Sequence, residues 1–142
     1  MQYDIPPTMP ALQGGLGPNW VTNTVAVPVP PPGFLLVRVM AAGLNRADQY
    51  MLEGNYLASG GAFTAGLELA GEVANNEKNV DRFMPGERVM GVTLGSFAPF
   101  ALVDARSVVA VPASLPWIDA GALPVGLSTE YDAVVTQAGI EY

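Results

Sequence analysis

A mainly β fold of about seven short strands with two or three short helices is what this sequence predicts. Three observations carry that expectation. Sixteen glycines and thirteen prolines are spread along 142 residues, punctuating the chain into short pieces. Several of those pieces alternate apolar and polar side chains, as half-buried strands do. Half of the residues are apolar and 13% are charged, a composition that supports a packed core over disorder.

The elements follow in order. Residues 1–20 contain Pro6, Pro7, Pro10 and the run Gly14-Gly15-Leu16-Gly17-Pro18, and read as a loosely structured segment in which any strand is brief. Val21 to Val27 alternates in its first half. Pro28, Pro30, Pro31 and Pro32 then withhold backbone donors and keep the chain extended until Gly33. Phe34 to Ala42 is the clearest strand, with Leu35, Val37, Val39 and Ala41 on one face and Arg38 on the other. Asn45 to Leu52 changes to helical spacing. Asn45 suits the N-cap, Asp48 three residues on suits the acidic half of a capping box, and Ala47, Tyr50 and Met51 share a face. Gly54 is expected to stop that helix. Gly66 to Ala74 returns to an extended pattern, and residues 75–81 are polar and suit a surface turn. Pro85-Gly86 predicts a tight turn into Glu87 to Val92. Phe97 to Val103 and Val108 to Val111 are further strands, and Ser114 is placed to cap a helical turn from Trp117 to Ala122. Leu127, Tyr131, Val134, Val135 and Ala138 recur at helical spacing, predicting a terminal amphipathic helix over 126–140.

Composition also excludes classes of function. Thirteen acids against six bases, a net charge of -7, oppose a phosphate backbone or an anionic membrane as partner. The chain has neither cysteine nor histidine. The usual zinc ligands, thiol nucleophiles and a Ser-His-Asp triad are thereby removed, and no metal site is expected. Ser96 and Ser128 have no basic partner to activate them. Met1 to Asp4 lacks the basic start of a signal peptide, and no apolar run approaches a membrane span, so a cytoplasmic protein is expected. Glu68 lies among Leu67, Leu69 and Ala70. Buried alone it would be costly, so it is expected to turn to water or to an arginine such as Arg88.

Several segments in order resemble the zinc-independent medium-chain dehydrogenase/reductases. Val37 to Asp48 resembles their hydrophobic strand followed by Gly-x-Asn-x-x-Asp. Gly66-Leu67-Glu68-Leu69-Ala70-Gly71-Glu72-Val73 is similar to their Gly-x-Glu-x-x-Gly-x-Val strand. Phe83 to Val89 matches their Phe-x-Pro-Gly-(Asp or Glu)-Arg-Val turn, Gly95 to Ala98 their Gly-(Gly or Ser)-(Phe or Tyr)-Ala segment, and Ala122-Leu123-Pro124 with Ser128-Thr129 completes the series. Quinone oxidoreductases and fungal trans-acting enoyl reductases are the relatives it resembles. The resemblance implies a GroES-like distorted β-barrel over 1–142, the domain that in such enzymes walls the substrate cleft against a Rossmann domain holding NADPH.

The resemblance also implies site residues. Asn45, Tyr50 and Thr129 fall where the family lines the nicotinamide and substrate side of the cleft. Tyr50 and Asn45 are the expected catalytic pair, with Glu130 beside them. Thr129 would touch the cofactor only with a nucleotide domain supplied, and Glu68 and Asp132 would meet a small-molecule substrate. Three departures stand out: Ala74-Asn75-Asn76 where a glycine is usual, Pro99-Phe100 after Ala98, and Glu130 where a small residue is usual. The Gly-x-Gly-x-x-Gly of a dinucleotide fold is also missing, because Gly15-Leu16-Gly17 runs into Pro18 outside any βαβ unit. The chain alone is therefore expected to bind no cofactor and transfer no hydride. The alternatives are a repurposed cofactor-free isomerase, cyclase or hydrolase using Glu130, Asp132, Tyr50 and Glu68, or a non-catalytic module. In the latter, Leu127, Tyr131, Val134 and Val135 bury themselves in a homodimer, fold back on the barrel, or meet the missing Rossmann domain.

Overall fold

A computed structural model describes residues 3–15, 18–52, 61–76 and 82–140. Among the described residues, eight strands form two antiparallel sheets. The smaller has the order β2-β1-β4, from β1 (Thr8–Gly14), β2 (Val21–Ala26) and β4 (Phe63–Thr64). The larger has the order β7-β3-β5-β6-β8, from β3 (Phe34–Ala41), β5 (Glu68–Asn76), β6 (Arg88–Val92), β7 (Phe100–Asp104) and β8 (Val108–Ala110). Three helices accompany them: α1 (Arg46–Leu52), α2 (Trp117–Gly121) and α3 (Pro124–Tyr131). The result is the mainly β, curled half-barrel that the sequence predicts.

The curl has a local cause. β3 and β5 pair with register shifts between Leu36 and Val37 and between Val39 and Ala41, and such bulges bend and twist a strand. Opposite the second bulge, Gly71 lets the two backbones close, since a Cβ there would collide with the Arg38 carbonyl oxygen. Inside the curl lie Leu35, Val37, Leu69, Val73, Val89 and Val103, each fully buried. The reverse face is also covered, because Leu36, Ala74 and Phe100 pack with Met9 of β1. β3 is therefore buried on both sides over Leu35–Val37, where strict alternation predicts one apolar face.

Several expectations need correction. Residues 1–20 are not loose throughout, because Thr8–Gly14 pairs along β2 from Thr8↔Ala26 to Gln13↔Val21. Pro10 is tolerated because β4 meets β1 only at Gln13 and Gly14, leaving Pro10 with a paired neighbour on one side. Ser114 does not cap α2; Pro116 holds the cap position without a side-chain bond. The terminal helix starts at Pro124 and loosens into a π-helical run at Asp132–Gln137. Leu127, Tyr131 and Val134 remain about half exposed, so its apolar side chains do not fold onto the barrel. The Pro85-Gly86 turn forms as expected, with the Glu87 amide donating to the Met84 carbonyl at 3.1 Å. Gly54 and residues 77–81 lie outside the described residues.

The loop after β8 is secured by Arg88. Its guanidinium lies 4.0 Å from the Trp117 ring centroid and donates to the carbonyls of Ala113 and Leu115 at 3.0 and 2.7 Å. This delivers the chain into α2, where Ala120 is fully buried and Gly121 lies against Ala41 of β3. α3 then starts directly above β5.

Candidate active-site wall

Glu68 opens β5, opposite Val92 of β6. Its side chain is buried, with 3% exposure, yet both oxygens are bonded. Oε1 accepts from Asn45 Nδ2 at 2.7 Å, and Oε2 accepts from the Val125 amide at 2.8 Å. A carboxylate buried with two donors avoids the penalty of an unpaired polar group. Water and Arg88, the expected partners, are both excluded: the first by burial, the second because Arg88 is committed to Trp117 and the loop carbonyls. Gly43 makes the room, since a Cβ there would run into the Glu68 carboxylate.

Each donor sits at a helix start. Asn45 precedes α1, and its own amide donates to Asp48 Oδ2 at 2.7 Å, the acidic arm of the expected capping box. The Asn45 side chain does not complete the box; it is turned to Glu68. Val125 follows Pro124 at the start of α3. Proline has no amide hydrogen, so the Val125 amide is the first donor the helix leaves unpaired, and a carboxylate there also suits the positive end of the helix dipole. Thr129 is one turn on. Its hydroxyl donates to the Val125 carbonyl at 2.7 Å, and that of Ser128 donates to the Pro124 carbonyl at 2.7 Å.

Asp48 is the second buried acid. Burial raises its pKa above 3.8; the Asn45 and Gly66 amides oppose the rise, and Glu68 adds to it. Among the described residues its Oδ1 has no hydrogen-bond partner, nor has the buried Ser96 hydroxyl. The capping-box role expected of Asp48 accounts for Oδ2 but not for the burial of the whole carboxyl. Apolar spacing gives no sign of this cluster; only the Gly-Ser-Phe-Ala segment marks Ser96.

The other expected residues lie apart. Tyr50 is 44% exposed on α1, with Arg46 6.0 Å from its ring centroid, so it does not share the face that buries Met51. Glu130 and Asp132 are exposed. Among the described residues no hydrogen bond joins Tyr50, Glu130 or Asp132 to Asn45 or Glu68, and the oxygens of the buried Glu68 are engaged by Asn45 and Val125. Beside α3 an open groove of about 630 Å³ is lined by Met90, Val92, Val109, Leu127 and Tyr131, with Arg106 among the polar residues around it. Arg106 is held by Asp104, whose carboxyl it lowers to about 2.

These residues do not fit a dinucleotide by themselves. A pyrophosphate is seated by a glycine-rich turn between a parallel strand and a helix, and among the described residues every strand pair is antiparallel. Nor do the described residues contain a group of three acids placed to hold a metal ion. None of the described helices is long and apolar enough to cross a membrane.

A curled antiparallel half-barrel with short helices packed at its rim is the architecture of a GroES-like domain of the medium-chain dehydrogenase/reductase type. The chain belongs to the alcohol dehydrogenase GroES-like domain family, matched over residues 31–113. It is 36% identical over 108 residues to erythronolide synthase EryA2 of Saccharopolyspora erythraea, covering 76% of this chain and 3% of that one. It is 29% identical to the trans-enoyl reductase grgB of a Penicillium species, covering 96% of this chain and 41% of the other. To the quinone oxidoreductase of Lama guanicoe it is 32% identical, covering 82% and 36%. Among solved structures, an alcohol dehydrogenase superfamily protein from Novosphingobium aromaticivorans superposes with a TM-score of 0.85 at 32% identity, over 94% of this chain and 43% of that one. A mycobacterial protein complexed with NADPH superposes at 0.76 with 28% identity, over 92% and 42%. The chain thus spans less than half the length of each of these relatives.

Proposed function

We propose that this chain is the substrate-side wall of an NADPH-dependent enoyl or quinone reductase, working in the cytoplasm with a nucleotide-binding domain that it does not itself contain. NADPH, held by that other domain, supplies the hydride. The chain's own residues would orient an α,β-unsaturated carbonyl or quinone and manage its proton. Asn45 and Thr129 would line the nicotinamide side, and the exposed Tyr50 hydroxyl would donate to the carbonyl or enolate oxygen.

One observation carries this reading. Asn45 and the helix bearing Thr129 are fastened to the same buried carboxylate, at the wall where the family resemblance sets the cofactor side of the cleft. The half-exposed Leu127, Tyr131 and Val134 and the groove beside them supply an apolar seat for the nucleotide-binding domain. A cofactor-free acid-base enzyme finds no comparable support, because its four proposed groups are not joined into one cluster.

Fluorescence titration tests the division of labour. Trp117 lies partly buried near the start of α2, close to α3 in sequence, and reports on this wall. With NADPH added to the chain alone, no saturable change in its emission is expected. Saturable binding by the chain alone would count against the proposal.

A further inference from the structure

We propose that Glu68 is a positioning residue. Its carboxylate sets the placement of Asn45 relative to Thr129 by holding the starts of α1 and α3 together. The functional meaning of those two side chains rests on the reading above; the mechanical claim does not.

The connection is short and has no slack. On one side Glu68 Oε1 takes the Asn45 Nδ2 proton at 2.7 Å, leaving the Asn45 amide to Asp48. On the other, Oε2 takes the Val125 amide at 2.8 Å, and the Val125 carbonyl in turn accepts the Thr129 hydroxyl at 2.7 Å. Asn45 is thus one hydrogen bond from the carboxylate, and Thr129 is two hydrogen bonds from it, joined through the backbone of the single residue Val125. The support is rigid. Glu68 begins a strand paired on both sides, and Gly43 closes over the carboxylate with no space for a Cβ. By contrast α3 has little else to hold it: none of its residues is buried, and its capping residue makes no side-chain bond. A helix start with a proline at its first position, few packed neighbours and one buried acceptor depends on that acceptor for its placement.

The donor pattern separates two substitutions. Glutamine at 68 offers one carbonyl oxygen and one amide. With the Asn45 side-chain amide turned over, it donates to Asn45 Oδ1 and accepts from the Val125 amide, so both bonds survive with one polarity reversed. Leucine at 68 offers neither.

Amide hydrogen exchange on the 142-residue chain reads the result without any hydride chemistry. In Glu68→Leu, exchange at Val125 and across Leu127–Thr129 is expected to quicken by about ten- to a hundredfold, as loss of a charge-assisted bond implies. Val37 and Val73 in the barrel should keep their protection. The conservative variant Glu68→Gln should recover protection across Val125–Thr129. Unchanged exchange there in Glu68→Leu overturns the proposal. So does loss of protection at Val37 and Val73 in both variants, which makes Glu68 a core residue. So does Glu68→Gln no better protected than Glu68→Leu. An active reductase with unaltered exchange in Glu68→Leu would defeat this inference and spare the proposed function; the expected exchange without NADPH-dependent turnover would do the reverse.

Discussion

At residue scale, two buried acids both bonded to Asn45 differ in how their oxygens are partnered. Glu68 has a donor for each oxygen, whereas Asp48 has one oxygen bonded and one without a partner among the described residues. Burial therefore raises the Asp48 pKa above 3.8. The folded state then holds that proton more firmly than the unfolded chain does. The Asp48 contribution to stability is full below 3.8 and is lost as pH rises through the raised folded value. Urea midpoints measured from about pH 4 to about pH 7 should show Asp48→Asn gaining on the parent as pH rises, and a constant difference would contradict this. Asp104 has the opposite sign. Its carboxyl is lowered to about 2 by Arg106, so its contribution is present above 3.8 and lost as pH falls toward 2. That pair is surface-exposed on the arginine side, and its effect should be small. Gly43→Ala drives a Cβ into the Glu68 carboxylate and should destabilise the chain by about 1–3 kcal/mol in the same urea measurement.

At the scale of elements, α3 is a helix placed at its start and loosely held along its length. Pro124 sets its first turn and Glu68 binds its first free amide, but its side chains are not buried and it runs into a π-helical segment. Gly126 lies within it with nothing in the space a Cβ would occupy. Gly126→Ala should therefore raise stability by about 0.5–1 kcal/mol through helix propensity, in contrast to Gly43→Ala. A loss of stability there would mean that α3 is packed more tightly than described. Most elements were legible in the sequence because their causes are local. Alternation marked β2, the Pro-Gly turn marked β6, and the Asn-to-Asp spacing marked α1 and half of its capping box. β1 was obscured by Pro10, whose tolerance depends on β4 meeting only the end of that strand. The Leu36 burial was hidden because it comes from the second sheet.

The same distinction governs the site. Asn45 was legible as a helix start, but the direction of its side chain was not, since its partner lies 23 residues away. Val125 offers only a backbone amide, and no side-chain pattern can announce that. The apolar spacing of Leu127, Tyr131 and Val134 was readable as a helix face, while its exposure depends on what the barrel leaves uncovered.

At the scale of the whole molecule, an acidic, mainly β domain carries a rigid wall on one side and an uncovered apolar helix beside it. Its relatives of greater length include a trans-enoyl reductase and a quinone oxidoreductase. The central claim is that this wall serves hydride transfer only when a nucleotide-binding domain is joined to it. The most direct measurement is NADPH consumption with an enoyl thioester or a quinone, for the chain alone and for the chain joined to the part of the Penicillium trans-enoyl reductase that it does not match. Turnover by the joined protein and none by the chain alone is the predicted result. Turnover by the chain alone, or none from a joined protein that is folded and binds NADPH, would contradict the account.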